Sequence, residues 1–309
     1  MKKVRKAVKL KKETDRHAAR VASESLKKEG LIMNISKVYA VYFSPTGTTD
    51  RITSYIAEEI ADKLNVKCMK DDFSLPALRQ EKRKFKSDEL VVIGVPTYAG
   101  RVPNKVLPFV QELFEGDNTP FVPVVTFGNR AFDDSLNELR DELTDKGFYA
   151  VGAAAGCTRH TLARWLAPER PDEDDFKVLD KLVEAVSEKL QNAGNADELS
   201  GGIDICGNKP IGPYYKPLQE DGSPANFLKA KPKTNMDRCN NCGKCAQVCT
   251  MGSISTEDYT EVPGICIKCN ACVSKCPKGA KYFDDPVMIS HLKMLEDNFQ
   301  RRAETEIFV

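Results

Sequence analysis

Short apolar runs alternate along the chain with longer segments in which apolar residues recur at helical spacing. Five such runs predict buried strands over 37–43, 66–69, 89–95, 121–127 and 148–153. The segment after the first run places Ile52, Ile56, Ile60 and Leu64 on one predicted helical face. Strands that alternate with helices form a parallel sheet covered by helices. The pattern therefore predicts an α/β fold over residues 33–194, with a doubly wound, five-stranded parallel sheet.

Polar loops follow three of the predicted strands, and the first loop suits a phosphate. Residues 44–49 have the sequence SPTGTT and lie between a strand and a helix. Hydroxyls and backbone N–H groups at a helix N-terminus bind anions. The sequence contains neither a GxxxxGK[ST] loop nor a GxGxxG loop, so the predicted ligand is a phosphate monoester. A capped turn, with Thr49 or Asp50 as the N-cap, is the structural alternative.

Eight of the eleven cysteines lie between 239 and 276, in two runs with the spacing C-x2-C-x2-C-x3-C. This spacing ligates [4Fe–4S] clusters in bacterial ferredoxins, where the fourth cysteine of each run binds the other cluster. It predicts one cluster on Cys239, Cys242, Cys245 and Cys276, and a second on Cys266, Cys269, Cys272 and Cys249. Thr250 stands where the pattern has proline, whereas Pro277 follows the second run. Zinc sites and disulfides are the alternatives, but zinc sites usually separate two CxxC pairs widely, and disulfides suit oxidising compartments.

Composition and charge fit a cytoplasmic protein of two domains, from an oxygen-poor host. The 309 residues carry a formal net charge of +1, which gives no electrostatic reason to expect nucleic acid or an anionic membrane as partner. We expect no membrane span and no secretory signal, because the apolar runs are too short. The predicted segments outside the α/β fold are a basic, disordered arm over 1–32, a Gly-, Pro- and Lys-rich linker over 195–236, a small α+β two-cluster domain over 237–285, and a C-terminal helix and tail over 286–309.

The three loops together resemble the FMN-binding loops of flavodoxins. Their sequences are FSPTGTT after the first strand, VPTYAG after the third and FGNRAFDD after the fourth. With the two cysteine runs that follow, the chain resembles the fused flavodoxin–ferredoxin proteins of anaerobes over residues 37 to about 290. The resemblance implies that the FMN phosphate is held by Ser44, Pro45, Thr46, Gly47, Thr48 and Thr49. It also implies that the isoalloxazine ring lies between two loops, formed by Pro96, Thr97, Tyr98, Ala99, Gly100 and Arg101, and by Phe127, Gly128, Asn129, Arg130 and Asp133.

Two arginines fall in the expected flavin loops. Arg101 and Arg130 should stabilise negative charge on the reduced ring and so raise the flavin potential, unless Asp133 or Asp134 pairs with them. His160, after the fifth predicted strand, is expected to be a loop histidine with its hydrogen bonds satisfied, and a flavin or substrate contact is the alternative. Trp165, the single tryptophan, is expected to pack, and a flavin stack is the alternative.

These cofactors favour an electron-transfer flavoprotein. Iron–sulfur clusters pass single electrons, and flavin carries one or two. A protein with both cofactors can therefore connect redox partner proteins that exchange one electron with partners that exchange two. The sequence shows no catalytic triad or paired carboxylates, and we predict no catalytic residues. Two alternatives stay open: an FMN-dependent reductase of a quinone, nitro compound or enoate, and a redox-sensing module that regulates a partner. The sequence fixes neither the donor and acceptor, nor the oligomeric state, nor whether the protein is an enzyme.

Overall fold

The computed structural model describes residues 34–199 and 201–309, so the predicted basic arm over 1–32 lies outside the described residues. In chain order the helices and strands are β1 (Lys37–Tyr42), α1 (Thr48–Leu64), β2 (Lys67–Asp72), β3 (Arg83–Phe85), β4 (Glu89–Pro96), α2 (Leu107–Leu113), β5 (Phe114–Gly116), β6 (Thr119–Phe127), α3 (Ser135–Thr144), β7 (Phe148–Ala150), β8 (Ala153–Cys157), α4 (Glu173–Asn192), β9 (Lys233–Thr234), α5 (Lys244–Gln247), α6 (Ala271–Ser274), β10 (Lys281–Tyr282), α7 (Pro286–Asn298) and β11 (Glu306–Phe308).

Five parallel strands form the centre of the main sheet, in the order β2-β1-β4-β6-β8. β3 and β5 pair only with each other and lie outside this sheet. If the five parallel strands are numbered 1 to 5 along the chain, their order in the sheet is 2-1-3-4-5, which is the order of flavodoxin-like folds. The predicted doubly wound, five-stranded parallel sheet is therefore confirmed. Two strands extend it: β7 pairs with β6, and the C-terminal β11 pairs antiparallel with β8.

Pro123 lies in the middle of β6, where a central strand rarely tolerates proline because it has no N–H group. The neighbouring chain is interrupted at this point. Residues 119–121 of β6 pair with β7, whereas 124–127 pair with β8. Pro123 thus falls in the gap between two partner strands, and on its other side it lies opposite Ile93 of β4.

Apolar cores cover both faces of the sheet. α1 and α4 cover one face, where Ile52, Ile56 and Ile60 are fully buried, as the spacing of the sequence predicts. α2 and α3 cover the other face. Gly94 allows α1 to approach β4, because a Cβ atom at Gly94 would lie 1.9 Å from Thr53 Oγ1. This close contact fixes the N-terminal half of α1, and with it the loop that precedes the helix.

The cysteine-rich segment folds as a small α+β unit with an internal repeat. One-turn helices α5 and α6 each begin after a residue with left-handed backbone, Gly243 (φ 70°) and Asn270 (φ 63°). β9 and β10 pair antiparallel and bring the two ends of the unit together. The matching turns place the two cysteine runs in equivalent conformations.

The predicted linker lies against the α/β domain for part of its length. The Tyr215 N–H group donates to the Ala99 carbonyl at 2.8 Å, and the Tyr214 hydroxyl donates to the Val102 carbonyl at 2.9 Å. Asp134 accepts hydrogen bonds from the backbone of Gly212 at 2.7 Å. Burial opposes ionisation of Asp134, but these linker donors prevail and lower its pKa. The linker therefore covers the edge of the second and third loops.

The C-terminal segment also returns to the α/β domain. Met294 and Leu295 of α7 pack against Ala163 and Leu166, in the segment after β8. The chain then ends in β11 at the edge of the sheet. Among residues 34–199 and 201–309, no helix has both the length and the apolar character needed to cross a membrane.

Candidate functional site

The structure gathers the eight clustered cysteines into two groups of four, each around its own cavity. We name the group of Cys239, Cys242, Cys245 and Cys276 the distal thiol site. In each group three cysteines come from one run, in the turn around its one-turn helix, and the fourth comes from the other run. Cys276 Sγ accepts a hydrogen bond from Ala280 N at 3.3 Å. Burial acts to raise the pKa of Cys276, but backbone N–H donors outweigh burial and lower it.

The second group, Cys249, Cys266, Cys269 and Cys272, is the proximal thiol site. Its hydrogen bonds mirror those of the first, since Cys249 Sγ accepts from Ser253 N at 3.1 Å, four residues onward. Thr250 Oγ1 adds a donor to Cys269 Sγ at 3.4 Å. Burial, helped by the neighbouring Cys269, raises the pKa of Cys272 to about 12. Iron binding would displace the thiol protons, as it does wherever cysteine ligates a metal.

Both thiol sites suit a cluster better than a single ion. In the described parts of the chain, no three His, Cys, Asp or Glu side chains converge on one ion position. Four thiolates that bind a [4Fe–4S] cluster each reach a different iron, so they surround a cavity instead of converging on one point. The donor set of each cavity, four thiols with backbone N–H groups beside them, fits this arrangement.

The proximal thiol site abuts the α/β domain, which explains its name. Asn270 Nδ2 donates to the Thr161 carbonyl at 2.8 Å, and Arg79 Nη2 donates to the Thr250 carbonyl at 2.6 Å. Ile267 packs against the apolar core on the α2 and α3 face of the sheet. These contacts come from the end of the first cysteine run and from within the second, so both runs hold the site against the α/β domain.

The pKa of Tyr98, in the second loop of the α/β domain, is affected by the charge of the proximal thiols. Burial raises the pKa of Tyr98 well above its ordinary value, and charge on Cys269 and Cys266 adds to the rise. The Tyr98 N–H group donates to the Arg101 carbonyl at 2.9 Å, which closes the loop as a tight turn. A ring bound at this loop would therefore lie beside the proximal thiol site.

The first loop offers an anion site at the N-terminus of α1. Ser44 Oγ accepts from Asp50 N at 2.9 Å, and Thr49 Oγ1 lies 2.8 Å from Thr126 Oγ1, so these hydroxyls stabilise the loop itself. The half-buried Thr46 and Thr48 hydroxyls have no partner among the described residues, and neither do the backbone N–H groups of 46–49. A Cβ atom at Gly47, where φ is 97°, would meet no atom within 4 Å. The loop thus presents free donors to open space, which fits a phosphate.

The second loop directs its arginine away from the strand ends. Arg101 forms a salt bridge with the buried Glu138 of α3, which raises the pKa of Arg101, and its guanidinium lies 4.9 Å from the Tyr214 ring centroid. Thr97 Oγ1 lies 2.7 Å from Ser135 Oγ, also in α3. The remaining groups of the loop, Pro96, Ala99 and Gly100, present backbone and small side chains. Gly100 is required because a Cβ there would lie 2.1 Å from Asp133 Oδ2.

The third loop turns most of its side chains inward. Arg130 pairs with Asp133 and lies 4.1 Å from the Tyr215 ring centroid. Asn129 donates to the Phe299 and Arg301 carbonyls, both at 2.7 Å, so its amide binds the C-terminal segment and only its backbone is free for a cofactor. Phe127 is buried against Phe132. Gly128 lies beside His160, as a Cβ there would be 2.5 Å from the imidazole.

Several residues near these loops carried no sequence signal of their role. His160 Nδ1 accepts a hydrogen bond from Ala163 N at 2.8 Å, and burial lowers the pKa of His160 to about 4, with help from His291 and Arg130. His291 of α7 stacks on Phe227 with ring centroids 5.4 Å apart. Trp165 is 78% exposed, so the expectation that it packs is wrong. The sequence gives no sign that His160 and His291 lie near each other, because the two residues are more than a hundred positions apart.

Comparison with known proteins bears on the two halves separately. The 4Fe-4S binding domain family matches residues 232–255, which include the first cysteine run. No curated protein matches the chain. Among solved structures, a flavodoxin from the domain Archaea is 14% identical and covers 50% of this chain and 99% of its own, with a TM-score of 0.37. Flavodoxin 2 from Bacillus cereus is 16% identical, with the same coverage and TM-score.

A third solved structure, rubredoxin oxygen:oxidoreductase from the anaerobe Desulfovibrio gigas, is 16% identical over 52% of this chain and 37% of its own, with a TM-score of 0.37. All three similarities are low, so the fold is assigned from the strand order of the sheet itself. By that strand order the α/β domain has a flavodoxin-like fold, and the segment that follows it matches the 4Fe-4S binding domain family over residues 232–255.

Proposed function

We propose that the protein is an electron-transfer flavoprotein that passes electrons between two [4Fe–4S] clusters and FMN. The observation that carries the proposal is the attachment of the proximal thiol site to the α/β domain, through the bonds from Asn270 to the Thr161 carbonyl and from Arg79 to the Thr250 carbonyl. A doubly wound sheet binds its ligand at the carboxyl ends of its strands. Besides burial, charge on Cys269 and Cys266 also contributes to the raised pKa of Tyr98 in the second loop. When bound, the clusters would supply one-electron chemistry and FMN one- or two-electron chemistry.

The first loop is the site we assign to the FMN phosphate. The free hydroxyls of Thr46 and Thr48 and the free N–H groups of 46–49 provide donors for a dianion. Ser44 and Thr49 hold the loop through their own hydrogen bonds. The isoalloxazine would lie between the second and third loops, against Tyr98 and the backbone of 96–100 and 127–130. No other charged group is required for this binding.

The chain's own residues fix the distance between the two domains. Arg79 bonds to the carbonyl of Thr250 and places its guanidinium 4.1 Å from the Phe109 ring centroid. Asn270 holds the opposite side of the proximal site. Fourteen residues line the proximal cavity, and none of them is charged.

An FMN-dependent reductase of a small acceptor is the second candidate, and one observation favours it. An open cavity of about 390 Å³ lies beside the third loop, lined in part by Arg130, Asp133 and Asn208. A small molecule could enter there from solvent. The reductase would be favoured if the loaded protein used NAD(P)H to reduce a quinone or nitro acceptor in steady state. The same acceptor should then not be reduced when reduced ferredoxin replaces NAD(P)H as the electron donor.

Cofactor content is the first test of the proposed function. The protein is reconstituted anaerobically, and iron, acid-labile sulfide and FMN are measured per chain. Two clusters of four irons each predict about eight irons, with one FMN. The variant Cys206→Ala is the matched control, because this exposed cysteine lies outside both thiol sites and its loss should change nothing. About four irons or fewer after full reconstitution would exclude the second cluster.

A further inference from the structure

The surface around the distal thiol site carries a group of unpaired cations. Its members are exposed and lie one or two positions from a cysteine of the site, and we name them the basic collar: Arg238, Lys244, Lys275 and Lys278. None of them forms an ion pair within residues 34–199 and 201–309. Four like charges without a structural partner repel one another, so stability of the fold gives no reason for their arrangement.

The two thiol sites differ in the charge of their surroundings. Lys244, Lys278 and Lys281 line the distal cavity, and no carboxylate does so. Lys281 is buried and donates to the Tyr259 carbonyl, so Lys244 and Lys278 are the two that face solvent. Two carboxylates are exposed nearby, Asp237 next to Arg238 and Asp258 next to the cavity-lining Tyr259. The lining of the proximal cavity, by contrast, contains no charged residue.

The two sites also differ in access from solvent. The α/β domain contacts the proximal site through Asn270, Ile267 and the carbonyl of Thr250. At the distal site Cys242 is an exposed residue, and the neighbouring Asn240 and Asn241 are exposed as well. A partner protein can therefore approach the distal site closely, whereas the proximal site is shielded on the side of the α/β domain.

We propose that the basic collar is the docking surface for an acidic one-electron carrier protein, one with carboxylates around its own redox centre. The inference rests on the proposed function, because it requires a cluster at the distal thiol site. In each encounter the reduced carrier loses one electron and the distal cluster gains one, so no proton or third reactant is needed. A positive patch beside a redox centre steers a negative partner into a productive orientation, and such steering accelerates association by about 10–10³-fold at low salt.

The test compares two double charge reversals that change the net charge equally. Lys244→Glu with Lys278→Glu alters the collar. Lys67→Glu with Lys181→Glu is the control, because these lysines are exposed, unpaired among the described residues, and lie in β2 and α4. An acidic two-cluster ferredoxin, chemically reduced, is mixed with each loaded protein in a stopped-flow instrument. The rate of FMN reduction is recorded at flavin wavelengths over a series of salt concentrations, because the ferredoxin donor carries the same kind of cluster as the acceptor. Reduced methyl viologen serves as a small donor that needs no docking surface.

The collar variant should react with reduced ferredoxin at least tenfold more slowly than wild type at low salt. Added salt should reduce the difference between the two rates, because it screens the charges. The control variant should stay within about twofold of wild type, because its changes lie outside the docking surface. Equal slowing of both variants, or a wild-type rate that does not change with salt, would overturn the docking surface. Methyl viologen distinguishes a wrong docking surface from a wrong proposed function. If it reduces the clusters and FMN in wild type and in both variants, the electron path is intact and only the docking inference is refuted.

Discussion

Thr250 gives a sharp test of how the protein tunes the proximal site. It follows the first cysteine run at the position where the second run has Pro277. Its side chain is 1% exposed, and Oγ1 donates to Cys269 Sγ at 3.4 Å. Proline has no such donor. A hydrogen bond to a ligand sulfur stabilises negative charge and so favours the reduced cluster, which raises the reduction potential.

Replacing Thr250 with valine removes the hydroxyl and keeps the shape of the side chain. A hydrogen bond of this kind contributes about 0.5–1.5 kcal/mol. For a one-electron couple a tenfold change in the equilibrium constant, about 1.4 kcal/mol, equals about 59 mV. Thr250→Val should therefore lower one cluster potential by about 20–60 mV. Thr250→Ser retains the donor and should stay close to wild type.

The assay is an anaerobic redox titration of the reconstituted protein, followed by electron paramagnetic resonance. The second cluster potential and the FMN potential are internal controls, because Thr250 donates to Cys269 of the proximal site alone. A shift of one cluster potential in the valine variant, absent from the serine variant, is the expected result. If both variants shift alike, or neither shifts, the hydroxyl does not act on the cluster and the reasoning is refuted.

Three further predictions concern the cofactor sites. Changing both Thr46 and Thr48 to Ala should weaken FMN binding at least tenfold with the clusters intact, since each hydrogen bond to a charged group is worth about 1.5–3 kcal/mol; equilibrium dialysis checks this, and unchanged affinity would place the phosphate elsewhere. Cys276→Ala should damage the distal cluster and Cys249→Ala the proximal one, and resonance spectra with the reverse pattern would refute the crossed ligands. Arg79→Gln should slow electron exchange between clusters and FMN at unchanged cofactor content, as measured by stopped flow, because it removes the bond to the Thr250 carbonyl; an unchanged rate would mean that this contact does not set the distance.

The parts of the fold that the sequence predicted depend on local patterns. The spacing of Ile52, Ile56 and Ile60 is a helical period, and these residues are the buried face of α1. Four of the five predicted strand runs overlap β1, β2, β4 and β6 of the central order. The fifth prediction, 148–153, is misplaced, because most of it forms the short β7, whereas the fifth central strand is β8 (Ala153–Cys157). The repeated cysteine spacing, with its crossed fourth ligand, describes the same two groups of thiols that surround the two cavities. For the helix and the strands the information lies within about twenty residues, and for the cysteines it lies between Cys239 and Cys276.

The parts that escaped prediction depend on contacts between distant segments. β11 has three residues, too few for a recognisable period, and pairs with Ala153–Cys157 about 150 positions earlier. Arg130 does pair with Asp133, as the close spacing allowed, but Arg101 pairs with Glu138 instead of either aspartate. Helix α3 decides that choice, because its register presents Glu138 to the second loop. Both arginines are therefore balanced by carboxylates, which weakens their expected effect on the flavin potential.

Electron transfer within one chain is the most direct test of the proposed function. The loaded protein is mixed anaerobically with less than one equivalent of reduced methyl viologen, and absorbance is followed at cluster and flavin wavelengths. We predict that the clusters bleach first and then recover as FMN is reduced, at a rate that does not change with protein concentration. A second phase whose rate rises in proportion to protein concentration, or clusters that stay bleached while FMN stays oxidised, would contradict an electron path between the proximal thiol site and the flavin loops.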